Sequence, residues 1–203
     1  MNLPNKLTLL RIILVPVFLV CMYVQFPYHF TAALAVFVIA SITDALDGHI
    51  ARSQNLVTTF GKFADPLADK ILVLAAFAAM ADISAKMEAT PGIEMSLHVN
   101  GIVVTIIAAR EFMVSGLRLV TAEKGVVVAA GIWGKLKTAF TMVTQAVILV
   151  YLSLAEDFVL YPVALYENVI GWSIFALVWI SLILTVISGA VYLKGYWKYI
   201  DMK

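Results

Sequence analysis

Long apolar stretches alternate with short polar connections along almost the entire chain. A helix needs about 20 mostly apolar residues to cross a bilayer. Six stretches approach or reach that length, at roughly 8–25, 30–50, 67–82, 97–120, 135–154 and 171–193. The third is the shortest and opens with carboxylates. The pattern predicts an all-α integral membrane protein with six transmembrane helices, forming a single domain over residues 1–203.

The composition agrees with this pattern. Of the 203 residues, 63% are hydrophobic and only 13% are charged, whereas about a quarter of the residues in soluble domains are charged. The net charge of +1 gives no reason to expect a nucleic-acid partner. The single cysteine, Cys21, excludes an internal disulfide.

The basic residues predict how the chain is oriented. With the N-terminus in the cytoplasm, 13 of the 14 lysines and arginines lie at cytoplasmic helix ends, and only Lys86 lies outside. Both termini are therefore expected in the cytoplasm. No small-x-small cleavage site follows the first stretch, so we expect it to be a retained span. The sequence also shows no Arg/Ser-rich leader of the kind that directs proteins to mitochondria. We expect a bacterial cytoplasmic membrane, with an interfacial aromatic belt that includes Tyr192, Tyr196, Trp197 and Tyr199.

Four aspartates interrupt the apolar pattern where the second span ends and the third begins. Asp44 and Asp47 are three positions apart, and Asp65 and Asp69 are four apart, so each pair shares a helix face. Each aspartate at membrane depth costs about 2.5–3.5 kcal/mol, so a cation is expected to offset them. Oxygen ligands without histidine or cysteine suit Mg²⁺ or Mn²⁺ and not zinc. Such ions commonly serve phosphoryl chemistry.

Simpler interpretations exist for the individual aspartates. Asp65 precedes Pro66, which is also the sequence of a helix N-cap followed by proline at the first helical position. Asp44 or Asp47 alone could be a solvated helix end. The presence of all four in one short segment favours the metal interpretation.

The same segment carries a known signature, D-x2-D-G-x2-A-R-x8-G-x3-D-x3-D. Its eight fixed positions are all occupied, by Asp44, Asp47, Gly48, Ala51, Arg52, Gly61, Asp65 and Asp69. The segment therefore resembles the CDP-alcohol phosphotransferase family. The resemblance implies a six-span fold, a homodimer, and attack of an alcohol on a CDP-linked phosphate with release of CMP.

The resemblance also implies roles for the signature residues. Two divalent ions, Mg²⁺ or Mn²⁺, would be held by Asp44, Asp47, Asp65 and Asp69. Asp69 would in addition be the base that takes the proton of the hydroxyl. The CDP group would be bound by Asp47, Gly48, Ala51, Arg52, Gly61 and Asp65.

Basic residues near the fourth and fifth spans bear on the acceptor alcohol. Arg110 and Arg118 lie near the end of the fourth span, and Lys135 and Lys137 open the fifth. Arginine and lysine both bind phosphate, so this group suits an acceptor that carries its own phosphate. Alternatively, Arg110 and Arg118 form structural ion pairs with Glu111, and the two lysines are cytoplasmic anchors.

Flanking motifs narrow the resemblance. Leu3–Arg11, Ala109–Glu111, Ser115–Arg118 and Gly134–Thr138 are similar to the phosphatidylglycerophosphate synthase branch of the family. That branch implies CDP-diacylglycerol as donor and glycerol 3-phosphate as acceptor, among membrane lipids. The alternative within the family is a cardiolipin synthase or another CDP-alcohol phosphotransferase with a different acceptor.

An ion or metal transporter is the alternative from another class, because intramembrane carboxylates also mark ion pathways. The outer halves of the spans are essentially uncharged, which disfavours it. We expect one cytoplasm-facing active site, between spans 2 and 3 and the basic ends of spans 4 and 5.

Overall fold

The computed structural model describes residues 3–53, 59–89, 97–123, 131–158 and 167–197, and these residues are helical with short irregular ends and no strand. A π-helical segment, Ser153–Asp157, continues the fifth of six α-helices. The α-helices are α1 (Leu3–Tyr23), α2 (His29–Ser53), α3 (Thr59–Ala89), α4 (Gly101–Glu123), α5 (Ile132–Leu152) and α6 (Glu167–Tyr196). Each predicted span coincides with one helix, and the all-α class is confirmed.

Three helical stretches within the described ranges are long and apolar enough to cross a membrane. They are Asn5–Tyr23, Ile132–Asp157 and Val169–Tyr196. The apolar part of α2 is shorter, His29–Asp44. Charged side chains interrupt the apolar sequence of α3 and α4. The structure thus agrees with a membrane protein.

Helix α3 begins earlier than the apolar pattern predicts. The apolar span expected at roughly 67–82 lies within α3, which begins at Thr59. Asp65 and Pro66 therefore lie inside the helix, as the expected shared face of Asp65 and Asp69 requires, and the alternative N-cap interpretation of Asp65 is wrong. Proline has a φ angle that suits a helix, but inside a helix it loses the hydrogen bond to the carbonyl four residues earlier and its ring crowds that carbonyl, so the sequence alone favours a position at the helix start. Apolarity locates the part of a helix that is buried in a membrane, and not the residue where the helix begins.

The chain divides into two compact units, and the first comprises Met1–Met80 and Gln145–Asn168. Within it, α1 packs on α2. The rings of Phe18 and Phe37 are both buried, with centroids 6.3 Å apart. Ala33 and Ala40 on α2 are fully buried. Small side chains of this kind let neighbouring helices approach closely.

The first turn of α2 is held by the π-helical segment. Asp157 Oδ2 accepts hydrogen bonds from the backbone N–H of Thr31 at 2.6 Å and from its Oγ1 at 2.7 Å. Thr31 Oγ1 also lies 2.7 Å from Ser153 Oγ. The amides of a first helical turn have no partner inside the helix, so these contacts satisfy one of them. They fix the start of the helix that carries Asp44.

The second unit comprises Ala81–Thr144 and Val169–Lys203. Asn100 begins α4 as its N-cap, since its Oδ1 accepts from the amides of Ile102 and Val103, both at 3.1 Å. Between Ser173 and Lys194, helix α6 is apolar except for a buried polar stripe at helical spacing. This stripe consists of Ser181, Thr185, Ser188 and Tyr192. Its last two members reach the arginines of α4.

Candidate active site

Asp44, the first residue of the signature, pairs with a buried arginine. Arg11 on α1 donates from Nη1 to Asp44 Oδ1 on α2. The Arg11 side chain is 1% exposed and that of Asp44 is 35% exposed. A buried guanidinium is stable only when an anion accompanies it, and an aspartate near membrane depth needs a cation. The two charges offset each other.

The geometry leaves Asp44 able to bind a metal ion. A carboxylate has two oxygens and about four lone pairs, so one bond to Oδ1 does not exhaust it. Residues that hold a ligating carboxylate from behind fix its orientation toward the metal. Arg11 is suited to that task because guanidinium matches carboxylate geometry. Asp44 therefore fits the predicted role, with Arg11 as its support.

Asp69, the predicted base, lies on α3 and is partly buried. Its neighbours Ala68 and Leu72 are buried in the same unit. The position is four residues, about one helical turn, from Asp65 along α3. Asp69 thus combines some access to solvent with firmly packed surroundings, which suits a group that must meet a substrate.

The other signature residues lie in α2 or α3, but their side chains are outside the described residues. They are Asp47, Gly48, Ala51, Arg52, Gly61 and Asp65. Among the side chains that are described, no three or more of His, Cys, Asp and Glu gather in one place. Two of the four predicted ligands, Asp47 and Asp65, are not among those described side chains. The two-metal site and the CDP-binding residues stay predictions.

The second unit contains a group of charges that we call the basic cluster: Arg110, Glu111, Arg118 and Lys137. Glu111 Oε1 accepts from Arg110 Nη1 at 3.1 Å and also from Lys137 Nζ. The side chains of Arg110, Glu111 and Lys137 are only 10%, 11% and 6% exposed. One carboxylate thus joins a cation of α4 to a cation of α5.

Arg110 is held on several sides. Its Nη2 donates to Ser188 Oγ of α6 at 2.6 Å. A Cβ atom at Gly189 would lie 3.0 Å from Arg110 Cγ, so the glycine makes room for the arginine stem. The Arg110 Nε is buried and has no hydrogen-bond partner within the described part of the chain. A buried donor in that state is costly unless a water or ligand atom satisfies it.

Arg118 has a different environment. It is exposed, and its Nη2 donates to the hydroxyl of Tyr192 at 2.8 Å. Of the two ion pairs in the alternative interpretation, Arg110–Glu111 is present, whereas Glu111 has Lys137 as its second partner and Arg118 bonds to Tyr192. The side chain of an arginine seven residues after Glu111 lies about 10 Å further along the helix axis. Arg118 is the cation of the cluster with the most access to a ligand.

The two lysines of α5 differ from each other. Lys137 is buried beside Glu111, so its interpretation as a cytoplasmic surface anchor is wrong. Lys135 is exposed, which agrees with an anchor. Within the described ranges, it forms no hydrogen bond or ion pair with the basic cluster. Residues two positions apart lie on nearly opposite sides of a helix, which explains why Lys135 is exposed and Lys137 is buried.

The contacts of Arg11 and Tyr192 were not predicted from the sequence, because they depend on tertiary packing. Arg11 was expected only to anchor a helix end in the cytoplasm. Tyr192 was expected in an interfacial aromatic belt with Tyr196, yet the two are 6% and 1% exposed and are stacked on each other. Trp197 is 58% exposed, as a belt residue should be. Tyr199 lies outside the described residues.

A sequence signal for these contacts does exist. Ser188 and Tyr192 are four apart on an otherwise apolar helix and continue the stripe that begins at Ser181. Polar residues at helical spacing in a membrane helix face other helices and not lipid. That spacing indicates a buried face, although it does not identify the arginines as its partners.

Comparison with known proteins places the chain among relatives of defined names. The profile of the CDP-alcohol phosphatidyltransferase family matches residues 1–187. A Bacillus subtilis protein named CDP-diacylglycerol–glycerol-3-phosphate 3-phosphatidyltransferase is 38% identical over 97% of this chain and 96% of its own length. A Rickettsia bellii protein of the same name is 38% identical over 98% of this chain and 97% of its own. A Mycobacterium tuberculosis protein named probable phosphatidylglycerophosphate synthase is 40% identical over 68% of this chain and 60% of its own length.

Proposed function

The chain belongs to the CDP-alcohol phosphatidyltransferase family, and from that premise we propose that it makes phosphatidylglycerophosphate. The donor is CDP-diacylglycerol and the acceptor is sn-glycerol 3-phosphate. The primary hydroxyl oxygen of the acceptor forms a bond to the phosphorus that carries diacylglycerol. The bond from that phosphorus to the CMP oxygen breaks, and CMP leaves with the electron pair.

The charge of the basic cluster is the structural observation that carries the choice of acceptor. Three cations and one carboxylate leave two positive charges in excess, one of them on the exposed Arg118 and the other among the buried or partly buried groups. A phosphate monoester carries about −1.5 to −2 charges near neutral pH. Glycerol 3-phosphate matches that excess. Serine, which is neutral overall, and phosphatidylglycerol, a singly charged diester, match it less well.

The donor side of the reaction is assigned to the aspartates. Asp44, Asp47, Asp65 and Asp69 would hold two Mg²⁺ or Mn²⁺ ions. When bound, such ions screen the charge of the pyrophosphate and of the developing leaving group. Arg11 holds Asp44 in a fixed orientation from behind, and Asp69 accepts the proton from the acceptor hydroxyl. The remaining CDP contacts fall to Gly48, Ala51, Arg52 and Gly61, together with Asp47 and Asp65; at the glycines, the backbone can approach the nucleotide closely.

The acceptor phosphate is assigned to Arg110, Arg118, Lys135 and Lys137. The structure supports unequal shares for them. Arg118 is exposed and has donors to spare, whereas Lys137 and Arg110 already contact Glu111. We propose that Arg118 contacts the phosphate directly and that Arg110 and Lys137 supply charge, with the Arg110 Nε as the additional donor. Lys135 would act from the exposed rim.

We propose six spans with both termini in the cytoplasm, in a bacterial cytoplasmic membrane, with the active site on the cytoplasmic side and a homodimer as the assembly. The distribution of lysine and arginine supports this orientation. A membrane-impermeant thiol reagent on intact cells should label Lys86→Cys and not Lys6→Cys. The opposite labelling would reverse the orientation.

The transporter alternative has no support from the relatives, which are named as phosphatidyltransferases or as a probable phosphatidylglycerophosphate synthase. Cardiolipin synthesis differs only in the acceptor, so the deciding experiment varies that substrate. CMP release is measured from the detergent-purified protein with CDP-diacylglycerol and Mg²⁺. Glycerol 3-phosphate, inositol phosphate, serine and phosphatidylglycerol are offered one at a time, with EDTA and Asp69→Asn as controls. Metal-dependent release with glycerol 3-phosphate alone is the expected result. Release only with serine or phosphatidylglycerol would refute the assignment of the basic cluster to an acceptor phosphate. Release only with inositol phosphate would keep that assignment and refute glycerol 3-phosphate as the acceptor.

A further inference from the structure

Tyr192 of α6 contacts both arginines of the basic cluster. Its hydroxyl accepts a hydrogen bond from Arg118 Nη2 at 2.8 Å. The guanidinium carbon of Arg118 lies 5.0 Å from the centroid of the Tyr192 ring, and that of Arg110 lies 5.6 Å from it. Both distances are within the range of cation–π attraction. One tyrosine thus touches two cations that are eight residues apart on α4.

The position of Tyr192 is itself fixed from two other sides. Its ring stacks on that of Tyr196, with centroids 6.2 Å apart and planes 15° from parallel. On α5, a Cβ atom at Gly134 would lie 3.0 Å from the Tyr192 hydroxyl oxygen. Glycine at this position therefore allows the phenol to approach the α5 backbone. A tyrosine packed in this way has little rotational freedom.

Arg118 needs such a support because it is exposed. A free arginine side chain carries about 2 kcal/mol of rotamer entropy, which is lost when it binds a ligand. A hydrogen bond and an aromatic face that hold the guanidinium beforehand reduce that loss. They also leave the Arg118 Nε and Nη1 donors available for a phosphate fork.

We propose that Tyr192 is a positioning residue that determines the affinity for the acceptor phosphate by orienting Arg118 and Arg110. This inference rests on the proposed function, since it assumes that the basic cluster binds that phosphate. Tyr192 does not touch the reacting atoms in this scheme. It should therefore affect the KM for glycerol 3-phosphate while leaving the KM for CDP-diacylglycerol, and most of kcat, as they are.

A purely structural role for Tyr192, as one more buried aromatic in the bundle, makes a different prediction. Tyr192→Phe keeps the ring and its packing and removes only the hydroxyl, so a structural role predicts nearly normal kinetics. Positioning predicts a rise in the acceptor KM of about threefold to tenfold, which is the usual net contribution of one hydrogen bond. Tyr192→Leu also removes both cation–π contacts and should raise that KM by about thirtyfold or more. Tyr196→Phe is the matched control, since it removes a hydroxyl from the other ring of the stacked pair.

The experiment compares these three variants with the unaltered protein by CMP release, varying one substrate at a time. The expected result is a selective rise in the glycerol 3-phosphate KM for Tyr192→Phe and Tyr192→Leu, with Tyr196→Phe unchanged. Competitive inhibition by inorganic phosphate should weaken in the same two variants, by a factor similar to the rise in the acceptor KM. An unchanged acceptor KM in Tyr192→Phe, or equal changes for donor and acceptor, would overturn the proposal. No turnover of glycerol 3-phosphate by the unaltered protein would instead refute the proposed function.

A double-mutant cycle shows whether Tyr192 acts through Arg118. If it does, Tyr192→Phe should cost nothing further once Arg118→Ala is present, because the hydroxyl then has no guanidinium to hold. Independent, multiplying effects on KM would contradict positioning of Arg118. This cycle still decides the question if Tyr192→Leu fails to fold, since Phe fills nearly the same volume as Tyr.

Discussion

Arg11 of α1 and Asp44 of α2 form an ion pair that joins two separate sequence motifs. Arg11 closes the N-terminal motif Leu3–Arg11, and Asp44 opens the aspartate signature, 33 residues later. The arginine is almost completely buried, so its charge is directed at the carboxylate and not at solvent. The N-terminal motif therefore contributes a residue to the proposed metal site.

Removal of Arg11 should destabilise the protein most when no metal is present. Without Arg11, the charge of Asp44 depends on the metal ion for compensation. We expect Arg11→Ala to lower the free energy of unfolding by about 1–3 kcal/mol in EDTA, and by less in saturating Mg²⁺. Thermal unfolding in detergent measures both values. Lys6→Ala, an exposed cation on the same helix, is the control. An equal loss with and without Mg²⁺ would argue against metal binding by Asp44.

Loss of the proposed base should stop the reaction without preventing donor binding. Asp69→Asn keeps the size of the side chain but cannot take a proton, and general-base catalysis is typically worth about 10²–10⁴-fold. CMP release should fall by that factor, while binding of CDP-diacylglycerol changes little. Asp82→Asn, an exposed position further along α3, provides the control for a general effect on the helix. Normal turnover in Asp69→Asn would remove the base assignment.

Arg118 should matter for the acceptor and not for the donor. We expect Arg118→Ala to raise the KM for glycerol 3-phosphate by about 10- to 100-fold, the value of charged hydrogen bonds to a phosphate. The KM for CDP-diacylglycerol should stay within about twofold, within the scatter of surface substitutions. Initial rates at varied concentrations of each substrate separate the two effects. Lys86→Ala, a 65% exposed cation on α3, is the control. Equal changes in both KM values would indicate a structural role for Arg118.

The helices and the candidate aspartate site could be predicted because both depend on residues that are close together in the sequence. Apolar length locates a membrane helix, and the aspartates and glycines recur at fixed spacings within a short segment. The sequence left open whether Asp65 caps α3 or lies within it, because Asp65 followed by Pro66 has the sequence of a helix N-terminus, and the structure places both residues inside the helix. Local sequence does not distinguish these possibilities.

The contacts of the basic cluster could not be predicted in the same way. A tyrosine near lysines at the end of the last span suits a membrane interface and a buried support equally well, since its ring is apolar and its hydroxyl polar. Packing alone decides, and it places Tyr192 beside the arginines. The Lys137–Glu111 pair joins residues 26 apart, and spacing within one helix gives no information about it.

Glu111 is the carboxylate on which the buried cations depend, and its loss should be corrected by removing one of them. In Glu111→Gln, the buried Lys137 has no anion, and breaking a buried pair from one side typically costs about 3–5 kcal/mol. We expect a strong loss of thermal stability in detergent for this variant. Lys137→Met fills a similar volume without charge, so the double variant Glu111→Gln/Lys137→Met should recover a large part of that loss. Its KM for glycerol 3-phosphate should nevertheless stay raised, because the phosphate has lost a cation. A double variant as unstable as Glu111→Gln alone would mean that Glu111 stabilises the fold through contacts other than Lys137.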